Sequence, residues 1–374
     1  MAAMDILIMI ICASVVLGVL VFVHEGGHYL AARAFGVRVS EFMLGFPGPG
    51  ISIKRGETRF GITCVPLGGY ARICGMEAGQ ESPHLEAVLA AMHEFGTANL
   101  EDVMERLGLS EEDALAALDE LVEWGCLTAP RKTDEFNTYR VAETPKLGGR
   151  ARRKLLAAGK TVPPRYEEGQ ARPVVCAHGL YAAERKRQYR SLPFWKRSVI
   201  LVAGVAVNLL FAMLAFIVIY SVLGVDYQYT DTQEVVHVTL NPLQACQAGL
   251  SYIGMVVQAV VGLFNPATAA ETVSNSTSMV GIAVMSKTAF EQGLTSVLSL
   301  SAMLSTSLGI MNLLPIPPLD GGRFVVEVFQ KISRHTVSTR AMNAMSLAGM
   351  ALFLGFFAIM MNQDIQRFVF GNWG

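Results

Sequence analysis

The sequence is short of charge: Asp, Glu, Lys and Arg supply 16% of 374 residues, while apolar side chains supply 52%. Together with a mean hydropathy of +0.40, that balance excludes an ordinary soluble domain and points to a polytopic membrane protein. Cysteine is sparse as well. Cys12, Cys64, Cys74, Cys126, Cys176 and Cys246 form no C-x-x-C pair, and no second pair completes the C-x-H of Cys176 and His178. Neither a disulfide framework nor a thiolate zinc finger is expected. The first residues lack the basic stretch of a secretory signal and carry Asp5 instead, so the apolar run that follows reads as a membrane span. The net charge of −1 excludes nothing, because it averages an acidic and a basic region.

What is present is a set of long apolar runs. Ile6 to Val23, Val199 to Gly224, Val297 to Ile316 and Ala341 to Met361 are each long enough to cross a bilayer. Leu250 to Phe264 is shorter and is expected to be interfacial or re-entrant. Of the 30 Lys and Arg, 24 lie between Ala31 and Arg197, and Arg323, Lys331, Arg334 and Arg340 lie between the last two runs. Positive loops face the cytoplasm. Four spans with both termini extracytoplasmic, in the cell membrane, satisfy that bias.

The first run ends in His24-Glu25-Gly26-Gly27-His28. Histidines four apart share one face of a helix and can aim at one ion, with Glu25 beside them to take a proton from metal-bound water. The bland alternative is a pair of core histidines. Ionisable groups at membrane depth are costly, however, and are usually functional. A catalytic zinc wants a third protein ligand and an open position. The third run ends in "NLLPIPPLDGGRF", where Pro315, Pro317 and Pro318 break the helix before Asp320. An in-going third span brings Asp320 to the depth of His24 and His28. Asn312, eight residues earlier, can bind a substrate carbonyl or a developing oxyanion, or else join two helices by a hydrogen bond.

The order HEGGH, "FGITCVPLGGYARICGM" (Phe60 to Met76) and "NLLPIPPLDGGR" resembles the site-2 protease family of intramembrane zinc metalloproteases, in particular the bacterial sigma-E-regulator protease subclass. The resemblance implies that His24, His28 and Asp320 ligate Zn2+, that Glu25 is the general base, and that Asn312 contributes to substrate or oxyanion binding. It also implies a membrane re-entrant β-loop around Pro66 to Tyr70. "TRFGITCVPLGGYARI" reads as a hairpin whose edge either pairs with an unwound substrate or only plugs the cavity. Three departures stand out. Gly204 is followed by Val205 where the family has Gly-Pro, although Asn208 is retained. Ser278-Met279 stands at a second expected Gly-Pro. The 17 residues between Gly224 and Pro242 are too few for the subclass's PDZ module.

The cytoplasmic loop holds an insert instead. Residues 84–143 read as three helices and a β-wing, a winged-helix-like pattern with Ser110 and Asp113 at a helix start. From Glu81 to Glu143 there are 15 acidic and 4 basic residues, a balance of −11, so a protein partner is expected and nucleic acid is not. From Lys146 to Arg197 there are 14 basic residues against three glutamates, a balance of +11. That reads as a flexible basic linker, either a positive-inside flank or a contact for anionic lipid or for the acidic module.

The expected fold is therefore a polytopic α-helical membrane protein, with four transmembrane helices, a re-entrant β-hairpin and a small α+β winged-helix-like insert. Its parts are 1–80 (first span, zinc motif and β-loop), 81–145 (insert), 146–197 (linker) and 198–374 (remaining core with the third ligand). The expected function is zinc-dependent cleavage of a membrane-spanning segment in a single-span protein within the lipid bilayer. The rival readings are a membrane-anchored signalling protein with a structural zinc site and a protein-docking winged helix, and an ion transporter.

Overall fold

A computed structural model describes residues 3–65, 68–77, 79, 81–134, 136–146, 148–159, 161–228, 235–368 and 370. Pro66 and Leu67, expected in the β-loop, lie outside the described residues. The first element, α1 (Ala3–Ala34), carries HEGGH in its last third. Strands β1 (Val39–Leu44), β2 (Gly50–Arg55), β3 (Thr58–Thr63) and β4 (Gly69–Ile73) follow. They form one sheet in the order β2-β3-β1-β4, with β1 parallel to β3 and antiparallel to β4. The expected β3–β4 hairpin is therefore not formed. The reason is β1: its Val39, Phe42 and Met43 are buried and make it a central strand, which enters between the two. The strand β4 pairs with β1 alone among the described residues, and its other edge stays open.

The chain leaves the sheet at Cys74 and returns at Tyr189, where Tyr189 N–H donates to Cys74 O at 2.9 Å and Arg38 N–H to Arg187 O at 2.9 Å. Between these points lie α2 (Leu85–Phe95), β5 (Thr97–Asn99), α3 (Leu100–Leu107), α4 (Glu111–Glu123), β6 (Leu127–Thr128) and β7 (Thr138–Val141), with strand order β5-β7-β6. Ser110 caps α4 by accepting from Asp113 N–H, so the helix start is where the sequence places it. Apolar faces of α2, α3 and α4 bury Leu89, Met92, Val103, Leu118, Leu121 and Trp124.

The basic segment is not a featureless linker. It contains α5 (Gly149–Ala157) and α6 (Ala177–Arg185), and Leu180 and Tyr181 of α6 pack on the insert's core. Arg172 N–H donates to His93 O, and Gly169 N–H to Val141 O, tying the return path to α2 and β7. Two apolar residues on one turn of α6 are enough to seat it despite the surrounding charge.

The rest of the chain is helical apart from a short ribbon, β8 (Val225–Gln228) with β9 (Val235–Val238), in the stretch too short for a PDZ module. It comprises α7 (Phe194–Ile217), α8 (Pro242–Gly262), α9 (Ala269–Asn275), α10 (Met279–Gln292), α11 (Leu294–Asn312), α12 (Asp320–Ser333) and α13 (Thr339–Phe368). Among the described residues five helices are long and apolar enough to cross a membrane, one more than the four expected. The extra one is α8. Its apolar stretch is extended backwards by Pro242 at the first helical turn and by a capping box between Asn241 and Gln244, giving 21 residues instead of 15.

Candidate metal centre

Three ligand atoms meet at one point. His24 Nε2 and His28 Nε2 each lie 3.1 Å from Asp320 Oδ2, and the two imidazole nitrogens are 3.4 Å apart. Both histidines are buried, on consecutive turns of α1. Asp320 opens α12, immediately after the proline-broken loop that ends α11. Helix α7 closes the third side. Its Gly204 lies so close that an added Cβ would fall 2.8 Å from His24 Cε1 and closer still to His28 Nε2. Gly27 meets the same helix from α1, where a Cβ would fall 2.6 Å from Ala203 O. Gly26 faces open space. The Gly-Gly pair of the motif thus divides: one glycine lets two backbones touch behind the histidines, and the other does not.

The far side of each ring is also held. His28 Nδ1–H donates to Ile200 O at 2.7 Å, which leaves Nε2 as the nitrogen with a free lone pair. Asn208 Nδ2 lies 3.2 Å from His24 Nδ1, while Asn208 Oδ1 is buried without a partner. Turning that amide by half a revolution lets Oδ1 accept from Nδ1–H, pairs the orphaned oxygen and gives His24 the same tautomer as His28. Ser305 of α11 donates to Asn208 O at 2.9 Å and fixes this stretch of α7. Two imidazoles, each set by an outer partner, and a carboxylate fit a zinc ion. Asn208→Ala should lower zinc affinity about ten- to a hundredfold with the fold intact, read by competition with a chelator of known affinity.

Glu25 stands outside this ligand set. Its Oε2 accepts from Ala71 N–H at 2.9 Å, on the open edge of β4. Glu25, His28, Asp320 and Gly69 to Ile73 line a cavity of about 340 Å³, and a neighbouring cavity of about 650 Å³ shares Met76, Glu77 and Arg323 with it. The expected Asn312 ends α11, half-buried, and among the described residues no hydrogen bond joins it to the cluster. The asparagine that touches a ligand is Asn208. Its signal in the sequence is a lone amide within the apolar "VAGVAVNLLFAML" of the second run.

A carboxylate held beside a strand edge, next to three converging atoms that could hold a metal ion, fits the layout of a metallopeptidase. Comparison with known proteins agrees: the model of peptidase family M50 matches residues 12–356, and the chain belongs to that family. It is 28% identical over 372 residues to a putative zinc metalloprotease of Helicobacter pylori, covering 93% of this chain and 98% of that protein. It is 24% identical to the zinc metalloprotease RasP of Geobacillus kaustophilus and 23% identical to the regulator of sigma-W protease RasP of Bacillus subtilis, covering 96% of this chain and 98% of each. The protein is a multi-pass membrane zinc metalloprotease of the site-2 protease family.

Proposed function

We propose that the protein is an intramembrane endopeptidase that cuts a membrane-spanning segment of a single-span substrate close to its cytoplasmic end. The observation that carries this reading is Glu25, held at 2.9 Å on the open edge of β4 and beside the His24–His28–Asp320 cluster. A helical substrate hides its carbonyls in its own hydrogen bonds and must be extended before it can be hydrolysed. The free edge of β4 offers backbone groups for that extended segment. Its peptide then lies against Glu25, which takes a proton from the attacking water and returns it to the leaving nitrogen. Zinc, held by His24, His28 and Asp320, would supply Lewis acidity toward the scissile carbonyl. Asn312, one loop before Asp320, remains the side chain assigned to a substrate carbonyl.

Four of the five apolar helices cross the membrane in this reading, and both termini are extracytoplasmic. Helix α8 starts beside the end of α7, where Leu240 N–H donates to Tyr220 O. It leads through α9 to Ser278 and Gly281, whose N–H groups bind Asp364 near the end of α13, at 2.6 and 3.0 Å. Lys287 of α10 pairs with Asp5 at the start of α1, at 2.7 Å. The end of α7, the end of α13 and the start of α1 therefore share one side with both ends of the α8–α10 segment, which supports α8 lying across that side. The basic loops then face the cytoplasm of a cell whose plasma membrane holds the protein.

The α-β-α-α-β-β order of the insert supports a winged helix. Its acidic surface suits a protein partner: Glu120 and Glu123 of α4 accept from Ser82 and Glu77 N–H, an arrangement that repels phosphate. The test of the catalytic reading is a purified preparation in detergent with a single-span model substrate. A chelator should abolish cleavage, zinc should restore it, and mass spectrometry should place the cut in the cytoplasmic third of the span. Cleavage that survives zinc removal, or a cut confined to the soluble flanks, would overturn it.

A further inference from the structure

The basic segment after the insert plays no part in the reaction proposed above, yet its charge is one-sided. From Lys146 to Arg165 there are seven Lys and Arg and no Asp or Glu. Its helix, α5, leaves Arg152, Arg153 and Leu156 exposed. Neither Leu155 nor Leu156 joins an apolar core among the described residues, and no ion pair there engages Arg152 or Arg153. Exposed leucines on a strongly basic helix make a face suited to a membrane surface.

The sheet sets the depth of that helix. Gly69 of β4 lies against Val21, inside the first apolar run, where an added Cβ would fall 2.6 Å from Val21 Cγ1. Gly69 pairs with Leu44, Leu44 with Ile62 and Ile62 with Ile51, so this row of the sheet sits at the depth of Val21. Ile51 is 84% exposed there and Ile53 73%, with Ile62 exposed beside them, a face that suits lipid and not water. Strand β2 then reaches Lys54 and Arg55, three to four residues or about 10–13 Å further on, enough to pass from acyl chains to headgroups. Arg55 and, on β3, Arg59 are exposed at that level.

The basic segment is rooted at the same level. Lys54 pairs with Glu143 at 2.8 Å, and Arg165 reaches the same residue at 3.9 Å. Thr144 N–H donates to Tyr166 O at 3.0 Å, and Tyr166 N–H to Thr144 Oγ1 at 2.8 Å, which closes the base of the excursion. Helix α5 begins five residues after Thr144, so it starts within about 17 Å of this base. The carboxylates nearby are already engaged. Glu143 serves Lys54 and Arg165, Glu57 serves Arg33, Arg38 and Arg187, and Glu41, opposite Arg59, serves Arg72 at 3.7 Å. Cations remain in excess at headgroup level.

We propose that α5 and the β2–β3 turn bind anionic phospholipid, whose headgroups accept from Arg152, Arg153, Arg55 and Arg59 while Leu156 enters the acyl boundary. The folded protein does not cover α5 with its own acidic insert, since Arg152 and Arg153 stay exposed beside it. The site requires only that α5 lie on the side of the membrane where α1 ends, and it stands whether or not a peptide is cut.

The full-length protein is placed in nanodiscs of phosphatidylcholine alone and of phosphatidylcholine with about a third phosphatidylglycerol, and amide hydrogen exchange is followed by mass spectrometry. Exchange in α5 should be about fivefold slower or more with the anionic lipid, and most of that difference should vanish in about 0.5 M sodium chloride. Arg152→Glu combined with Arg153→Glu should return α5 to its rate in phosphatidylcholine. Arg106→Gln, at an exposed pair with Glu94, should keep the slowing. Unchanged exchange in α2 and α4 shows that a variant is folded, and if the double reversal fails that check the salt arm on the wild type decides. Equal exchange in the two nanodiscs, whether fast or slow, overturns the proposal. So does a slowing that survives the double reversal or persists in full at high salt.

Discussion

Glu25→Gln should reduce cleavage of a model substrate about a thousandfold while zinc remains bound in stoichiometric amount. The size follows from what the substitution removes. Glutamine keeps the length of the side chain, and its carbonyl can still accept from Ala71 N–H, the contact that places Glu25 on the edge of β4. The ligand atoms of His24, His28 and Asp320 are untouched, all lying within 4.8 Å of one another. What disappears is a group able to accept and return a proton, and general acid–base catalysis is worth about a hundred- to ten-thousandfold. Metal analysis and cleavage rate on the same preparation give the answer. Retained zinc with lost cleavage separates the base from the ligands. Retained zinc with retained cleavage removes Glu25 from the chemistry and leaves the strand-edge contact as packing alone. The variant is also a means of trapping a bound substrate, because its edge strand is intact.

Much of the centre was legible from residue types and spacing. HEGGH sits at the end of an apolar run and Asp320 after a proline-broken one, and both facts are local. The structure brings the three together, as expected if both runs enter the membrane in the same direction. The outer partners were not legible in this way. Asn208 and Ile200 O reach the rings through the packing angle of α7 on α1; the lone amide of Asn208 marks the inward face of the second run, but nothing in the sequence says which group of that face meets which ring. The hairpin expectation failed for a related reason. Alternation in "TRFGITCVPLGGYARI" identifies strands, but pairing is decided by β1, which precedes them and is buried between them. In the insert the helical period of α4 and the Ser110 cap carried the reading, because there the local signals agree with the fold. The basic segment misled, since its charge outweighed Leu180 and Tyr181, the two residues that seat α6. Helix α8 was read too short because only Leu250 to Phe264 is continuously apolar, whereas the helix already starts at Pro242, a first-turn residue.

The glycine contacts behind the histidines give the other large effect. Gly204→Val should abolish stable zinc binding and cleavage together, whereas Gly26→Ala should leave zinc content unchanged. A side chain at 204 has nowhere to go: the first added carbon already falls 2.8 Å from His24 Cε1 and nearer to His28 Nε2, one of the three converging atoms that could hold a metal ion. Either the imidazoles rotate away from Asp320 or α7 retreats from α1, taking with it Ile200 O and Asn208, the outer partners of both rings. Outer partners alone are worth about ten- to a hundredfold in metal affinity, and here they are lost together with the ligand geometry. Gly26 is a neighbour in sequence but points away from α7, with nothing within 4 Å of an added Cβ. Zinc content after dialysis against a weak chelator, compared across Gly204→Val, Gly27→Ala and Gly26→Ala, tests the geometry directly. Gly27→Ala should fall between the other two, because its Cβ meets the backbone of Ala203 and not a ligand. Equal zinc retention at positions 204 and 26 would mean that α7 does not pack against the histidines as described, and the assignment of Asn208 and Ile200 as their outer partners would fall with it.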